Sequence, residues 1–161
     1  DDAVKAVVHV ADVGAVVSGS WDKTLRVWDA RGGSATLAAR LDMPDKVYTM
    51  DASNNRLVVG TANRHVLVFD VRNLSAPIQR RESALKFQTR CIRCFPTNDG
   101  FAISTIEGRV AVEYFEQEDQ AKKFAFKCHR VKNDSGEIVY PVNALAFHPS
   151  YAHTSFCQQG G

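Results

Sequence analysis

The stretch GSWDKTLRVWDARG, Gly19–Gly32, decides the fold, because it contains two Trp-Asp pairs seven residues apart. Trp28-Asp29 ends a segment in which apolar and polar residues alternate, as expected for a strand with one buried face. Trp21-Asp22 lies in the turn that precedes this segment. The two pairs are therefore predicted to have different roles.

The same arrangement recurs at a fixed interval along the chain. Trp28, Phe69 and Glu113 are in register, separated by 41 and then by 44 residues. A period of about 40–45 residues with a Trp-Asp ending is typical of β-propeller blades, which have four strands each. Three segments carry the repeat and align without gaps: VVSGSWDKTLRVWD (Val16–Asp29), LVVGTANRHVLVFD (Leu57–Asp70) and FAISTIEGRVAVEY (Phe101–Tyr114).

The repeat predicts an all-β chain that forms one domain over residues 1–161, a partial WD-repeat β-propeller. The repeats span approximately residues 4–29, 46–70, 90–115 and 140–161, and the last is incomplete. A β-sandwich would not repeat at a fixed interval. Propellers close with about four to eight blades. Three blades and the start of a fourth are therefore expected to be an internal piece of a larger ring.

Composition limits the classes of ligand. The 161 residues are 45% apolar and carry a formal net charge of +2, which does not favour a general nucleic-acid binder. Basic residues are nevertheless concentrated within 80–93 and 122–132. Two local patches suit one defined anionic ligand, and ordinary solvated charge is the alternative.

No constellation of residues predicts catalysis, a cofactor, a metal or a small-molecule substrate. Cys91 and Cys94 have the spacing of half a zinc or redox site, but no second pair follows, so reduced core cysteines are predicted. Cys128 and His129 are adjacent, which places them on opposite faces of a strand and disfavours a dyad. No apolar run approaches the roughly 18 residues of a membrane span.

Several repeat positions are predicted to build the blades. Trp28 should fill the wedge between neighbouring blades, as should its register partner Phe69. The carboxylate of Asp22 should hold its turn by accepting backbone hydrogen bonds. The predicted blade residues are Asp22, Trp28, Asp29, Phe69 and Asp70.

Trp21 stands apart from these blade residues. Its register partners, Ala62 and Ile106, are not aromatic, so the repeat does not require a large ring at this turn. An aromatic side chain at a propeller turn commonly lies on a face where partners dock.

A second candidate site follows the third repeat. The segment KFAFKCHRV, residues 123–131, is predicted to be an outer strand that places Lys127 and His129 on one face, and it is followed by a turn at NDSG. Arg109 begins the preceding strand. A cluster of Arg109, Lys127 and Arg130 would bind a phosphate on a peptide. Ordinary surface charge is the alternative.

Several segments resemble a known family over nearly the whole chain, from about Val4 to Pro149. GSWDKTLRVWD, RRESALKFQTRCIRCFP, IEGRVAVEY, FAFKCHR and YPVNALAFHP resemble the spindle-assembly-checkpoint WD-repeat propellers, the family of the third member of the budding-uninhibited-by-benzimidazoles group. The nearest paralogues, the messenger-RNA-export propellers, share GSIEGRV-type and FKCHR-type segments. RRESALKFQTRCIR and VAVEY are more similar to the checkpoint family.

The resemblance implies a seven-bladed, non-enzymatic adaptor, of which this chain covers roughly blades three to five and the start of six. Its implied partners are GLEBS segments of checkpoint kinases and their pseudokinase relatives, and phosphothreonine MELT motifs of the kinetochore scaffold. The implied location is the nucleus, and the kinetochore in mitosis. The export paralogues imply the alternative, a nuclear-pore propeller that binds a nucleoporin GLEBS segment and RNA.

The resemblance also assigns roles to residues. The tryptophan of the family's GSWD segment contacts the GLEBS segment and matches Trp21. The basic residue before CHR reads the phosphothreonine and matches Lys127, where some relatives carry arginine. Further phosphate contacts are implied near Ser150 or beyond, where this sequence departs from the family pattern.

Overall fold

A computed structural model describes residues 2–32, 34–134 and 136–148. In these ranges the secondary structure consists of β-strands and three short 3-10 helices, at Ala11–Val13, Ala62–Arg64 and Glu118–Lys122. The predicted all-β class is confirmed. The chain divides after Ser83 into two compact units.

The first unit contains two four-stranded antiparallel sheets, and in each of them strands that are consecutive in sequence are neighbours. This meander is the architecture of a propeller blade. The strands of the first sheet are β1 (Val4–Val10), β2 (Ala15–Ser20), β3 (Thr24–Asp29) and β4 (Thr36–Asp42). Those of the second are β5 (Val47–Ser53), β6 (Arg56–Thr61), β7 (His65–Asp70) and β8 (Gln79–Glu82).

The second unit contains one further meander and a separate two-stranded hairpin. The meander strands are β9 (Thr89–Cys94), β10 (Gly100–Thr105), β11 (Arg109–Tyr114) and β12 (Phe124–Lys127), and the hairpin strands are β13 (Arg130–Asn133) and β14 (Gly136–Val139). After the hairpin, Val142 and Leu145 are buried and join the core of this unit. The rest of the predicted fourth repeat, residues 149–161, lies outside the described residues.

Strand pairing places the three register-matched residues at equivalent points of their sheets. Trp28 pairs with Val16, Phe69 with Leu57, and Glu113 with Phe101. Each of the first three repeats therefore lies within one meander. The predicted WD-repeat blades are confirmed as the fold class.

The two sheets of the first unit share one hydrophobic core, in which strand β2 closely approaches β5. Residues of both sheets contribute, including the fully buried Val17, Val47 and Leu57. Gly19 permits the close approach, because a Cβ at this position would lie only 2.6 Å from a methyl carbon of Val47. A side chain at position 19 would also lie 3.3 Å from Met50 and from Leu25.

One predicted strand is interrupted. The segment 123–131 was expected to be continuous, but β12 ends at Lys127 and β13 begins at Arg130. His129 between them has a φ of +52°, which no extended strand adopts. Gly108 packs beneath this break. It has a φ of +64°, and a Cβ there would lie 2.5 Å from the Cys128 carbonyl oxygen.

The close packing at Gly19 gives a stability prediction. Gly19→Ala should lower the free energy of unfolding by about 1–3 kcal/mol, because the new methyl group overpacks the core against Val47. Urea denaturation of the full-length protein would measure this. Gly32→Ala is the matched control, since a Cβ at Gly32 meets nothing within 4 Å. Equal stability of the two variants would contradict the packing account.

Candidate functional site

The turn that carries Trp21 is held by the next carboxylate. Asp22 accepts a hydrogen bond from the Thr24 backbone N–H at 3.0 Å and another from the Thr24 hydroxyl at 2.6 Å. Its second oxygen lies 3.2 Å from the guanidinium of Arg26. The hydroxyl of Thr24 is the main cause that lowers the pKa of Asp22. The charged carboxylate therefore keeps the turn closed at neutral pH.

Trp21 itself has a fixed backbone and an exposed ring. Its N–H donates to the Ala3 carbonyl at 3.0 Å, and 37% of the residue is exposed. The Lys46 ammonium lies 5.5 Å from the centroid of the ring, within the range of a cation–π interaction. An exposed aromatic ring held in this way is suited to contact a partner, because little side-chain freedom is lost on binding.

A carboxylate connects the turns around Trp21. Asp45 has one oxygen 3.2 Å from the Lys23 ammonium, and its other oxygen accepts a 2.6 Å hydrogen bond from the Asn63 side-chain amide. The Lys46 N–H also donates to Asp45, at 2.8 Å, and this bond is the main cause that lowers the pKa of Asp45. The β2–β3 turn is thereby joined to the β4–β5 and β6–β7 connections.

Sequence reasoning missed Lys46 and Asp45 as members of this site. The available signal was the Asp-Lys dipeptide that opens the segment DKVYTMD, directly before β5. Only the packing of the two sheets brings that dipeptide to the turn of the first blade.

Trp28 differs from its predicted role. It is half-buried, and its indole N–H donates to the Ser18 hydroxyl on the neighbouring strand at 2.9 Å. The ring therefore stays at a position where its polar edge has a partner. Its register partner Phe69 has no polar group and is 1% exposed in the shared core. The hydrocarbon ring, rather than the indole, fills the interior.

Asp29 and Asp70 end their strands with the same clamp. Asp29 accepts hydrogen bonds from the backbone N–H of Arg31 and, through both carboxylate oxygens, from its guanidinium at 2.9 and 2.6 Å. Asp70 binds Arg72 in the same way, at 3.0 and 2.7 Å. The arginine side chains are the main cause that lowers the pKa of each aspartate to about 2. The repeated Asp-x-Arg spacing was the signal for this clamp.

Two cations of the second candidate site lie directly opposite each other. Arg109 on β11 pairs with Lys127 on β12. Residues paired in this way share a face of the sheet, and like charges there repel. The Glu107 carboxylate, 3.4 Å from the Arg109 Nε, offsets this repulsion only in part. Lys127 is exposed and has no ion pair within the described ranges, so an anion could bind beside it.

Arg130 lies near these cations but is engaged in structural contacts. It donates to the Glu137 carboxylate at 2.7 Å across the hairpin and to the Glu107 carbonyl at 2.8 Å. Arg130 is the main cause that lowers the pKa of Glu137, and Lys127 contributes to the same effect. The structure thus brings Lys127 and Arg109 together as the available cations and gives Arg130 a supporting position.

The cysteines show no catalytic or metal-binding arrangement in the described residues. Cys91 and Cys94 are buried as free thiols in β9. Burial is the main cause that raises the pKa of the Cys128 thiol, which disfavours the reactive thiolate. Within residues 2–32, 34–134 and 136–148, no group of three or more His, Cys, Asp or Glu is placed to hold a metal. No helix there has the length and apolar character of a membrane span.

The chain was compared with known proteins, and no family model matches it. It is 52% identical over 156 residues to mitotic checkpoint protein BUB3.1 of Arabidopsis thaliana, covering 94% of the chain and 46% of the relative. It is 43% identical over 155 residues to mitotic checkpoint protein bub3 of Dictyostelium discoideum, with the same coverage. It is 46% identical over 148 residues to mRNA export factor GLE2 of Chaetomium thermophilum, covering 89% of the chain and 40% of the relative.

Sheet topology and repeat define the chain as WD-repeat propeller blades. The relatives make the assignment specific: the resemblance to the spindle-checkpoint propellers is confirmed, and the chain is a homologue of the BUB3 proteins, with the mRNA-export factors as the paralogous group. The chain spans about half the length of the curated relatives it matches.

The clamp at Asp70 gives a pH prediction. Because its pKa falls from 3.8 to about 2 on folding, its stabilisation is present above about pH 4 and is lost as the pH falls toward 2. Asp70→Asn should therefore lower the urea midpoint at pH 6, and the difference from wild type should shrink below pH 4. Asp134→Asn, at an exposed carboxylate, is the control and should change neither. A difference that stays constant with pH would contradict the clamp.

Proposed function

We propose that the protein is a non-enzymatic mitotic checkpoint adaptor. In this proposal it binds GLEBS segments of checkpoint kinases and pseudokinases at Trp21, and phosphorylated MELT motifs of the kinetochore scaffold at Lys127. It would thereby recruit the kinases to unattached kinetochores, from the nucleus. The checkpoint names of the BUB3 relatives support the process, and the exposed, fixed ring of Trp21 is the observation that carries the proposal.

The surroundings of Trp21 favour a particular kind of peptide. A tryptophan ring offers a large apolar contact, and tryptophan is among the residues that most often dominate binding energy at interfaces. Lys46 at the ring adds a positive charge that would attract an acidic side chain flanking the apolar one. Because Asp22 and Asp45 already hold the surrounding turns, the surface needs little ordering on binding.

The repulsion between Arg109 and Lys127 supports the phosphate part of the proposal. A phosphothreonine carries about −1.5 to −2 charge at neutral pH and three acceptor oxygens. Placed at this pair, it would accept charge-assisted hydrogen bonds from both cations. The further contacts expected near Ser150 fall outside the described residues, so the proposal depends on Lys127 and Arg109.

A second candidate function is messenger-RNA export through a nucleoporin GLEBS segment. The 46% identity to export factor GLE2 favours it. Both candidates use the Trp21 surface, so the ligand at the basic site distinguishes them. Export function predicts salt-dependent RNA binding without a preference for phosphopeptides.

Titration of a labelled GLEBS peptide tests the Trp21 surface. Trp21→Ala in the full-length protein should weaken binding at least about tenfold, as expected when an interface tryptophan is truncated. Lys46→Ala should give a smaller loss. The control Phe87→Ala removes another exposed aromatic, 49% accessible, in the second unit and should leave the affinity unchanged. Unchanged affinity in Trp21→Ala would remove Trp21 from the site.

Paired MELT peptides, with and without phosphate on threonine, test the basic site. The phosphorylated peptide should bind more tightly, and the difference should shrink in Lys127→Ala and at high salt. Lys127→Arg should retain the preference, because the charge is kept. Lys123→Ala, an exposed lysine just before β12, is the matched control. Equal binding of both peptides by wild type would rule out the phosphate site, and RNA binding in its place would favour export.

A further inference from the structure

A groove of about 490 Å³ runs along the outer strand β4 of the first unit, opposite the connection between β7 and β8. Both walls belong to the two sheets that share one core, so the groove is formed within this unit alone. It is remote in sequence from Trp21 and from the Lys127 site, and neither candidate site uses its residues.

The groove has an apolar floor between two cations. Leu41, Phe69 and Leu74 form the floor, and Leu41 and Leu74 also pack against the shared core. Arg40 and Arg80 lie at the walls. Arg80 is exposed and has no ion pair within the described ranges. The floor therefore suits an apolar side chain, and the walls suit a carboxylate on either side of it.

The strand beside the groove has a free backbone edge. In the antiparallel pairing of β3 and β4, the Met43 N–H donates to the Lys23 carbonyl at 2.7 Å, and Leu41 lies two residues before Met43 opposite Leu25. Since hydrogen-bonded positions alternate, the backbone groups of Arg40 and Asp42 point away from β3. No backbone hydrogen bond joins that edge to a residue of the described ranges.

Charge at this edge is only weakly satisfied. The Arg40 guanidinium lies 3.8 Å from the Asp42 carboxylate, and the two side chains are 60% and 87% exposed. An ion pair this long and exposed contributes little. An incoming carboxylate opposite Arg40 would form a cross-strand pair of opposite charge, which is a favourable arrangement in a sheet.

The opposite wall is already ordered. Asp70 clamps Arg72, and the Asn73 side-chain oxygen accepts a hydrogen bond of 2.7 Å from the Ser75 hydroxyl. The Ile78 N–H then donates to the Val68 carbonyl at 2.8 Å, which returns the chain into the sheet. A ligand would therefore meet a preformed wall and would lose little affinity to ordering it.

We infer that this groove is a second docking surface, which binds an extended, acidic peptide segment of a partner protein by strand addition to β4. Alternate side chains of an added strand face opposite sides. Its apolar residues would enter the groove over Leu41 and Leu74, and its acidic residues would face Arg40 and Arg80. The inference does not depend on the proposed function, because the surface is distinct from Trp21 and Lys127.

A synthetic peptide tests this surface directly. The probe is fluorescein-labelled Glu-Leu-Glu-Val-Glu-Leu-Glu, titrated onto the full-length protein by fluorescence anisotropy. The double variant Arg40→Glu/Arg80→Glu should weaken binding at least about fivefold, because two attractive contacts become repulsive. Ala76→Trp should also weaken it, since Ala76 is exposed, lines the groove and would fill it when enlarged. N-methylation of alternate amides of the peptide should weaken binding by removing strand pairing.

Matched controls separate this surface from general charge effects and from the other sites. Arg90→Glu reverses an exposed arginine on β9 and should leave affinity within about twofold of wild type, as for a surface charge outside the interface. Trp21→Ala should also leave it unchanged. An equal loss in Arg90→Glu would overturn the inference, as would equal binding of a peptide with lysine in place of glutamate. Concentration-dependent self-association that Ala76→Trp abolishes would instead assign the groove to a second copy.

Discussion

The absence of a side chain at Gly19 is the constraint on which the first unit depends. It lets β2 approach β5 closely enough for Val47 to be fully buried, and this contact joins two meanders into one core. A single four-stranded sheet buries too little apolar surface to be stable alone, so a blade depends on its neighbour. The site at Trp21 and the groove beside β4 both use residues of the two sheets, and both therefore depend on that packing.

The two candidate sites present different kinds of surface. At Trp21, carboxylates satisfy the surrounding donors and leave a rigid apolar face with a cation at its edge. At Lys127, the sheet itself places like charges opposite each other and leaves the repulsion partly unrelieved. The first surface is suited to a peptide with a large apolar residue, and the second to a group of concentrated negative charge.

Local periodicity made most of the fold predictable, whereas the site depends on contacts that periodicity does not contain. Alternation within each repeat was sufficient to place Trp28, Phe69 and Glu113 at equivalent positions. The cation over Trp21 was not predictable, because Lys46 reaches the ring only when two sheets pack. The break at His129 was missed because a positive φ in a non-glycine residue leaves no mark in an apolar–polar pattern. The different burial of Trp28 and Phe69 follows from one indole N–H, which needs a partner.

The opposed charges of Arg109 and Lys127 have a consequence for the sheet that contains them. The free blade contains an electrostatic repulsion that a bound anion would remove, so occupancy and folding stability are thermodynamically linked at this position. A modification that adds phosphate to a partner would then do more than create an attachment point. It would tighten the pairing of β11 with β12, and the blade would register the phosphorylation state of its ligand as a change in its own rigidity.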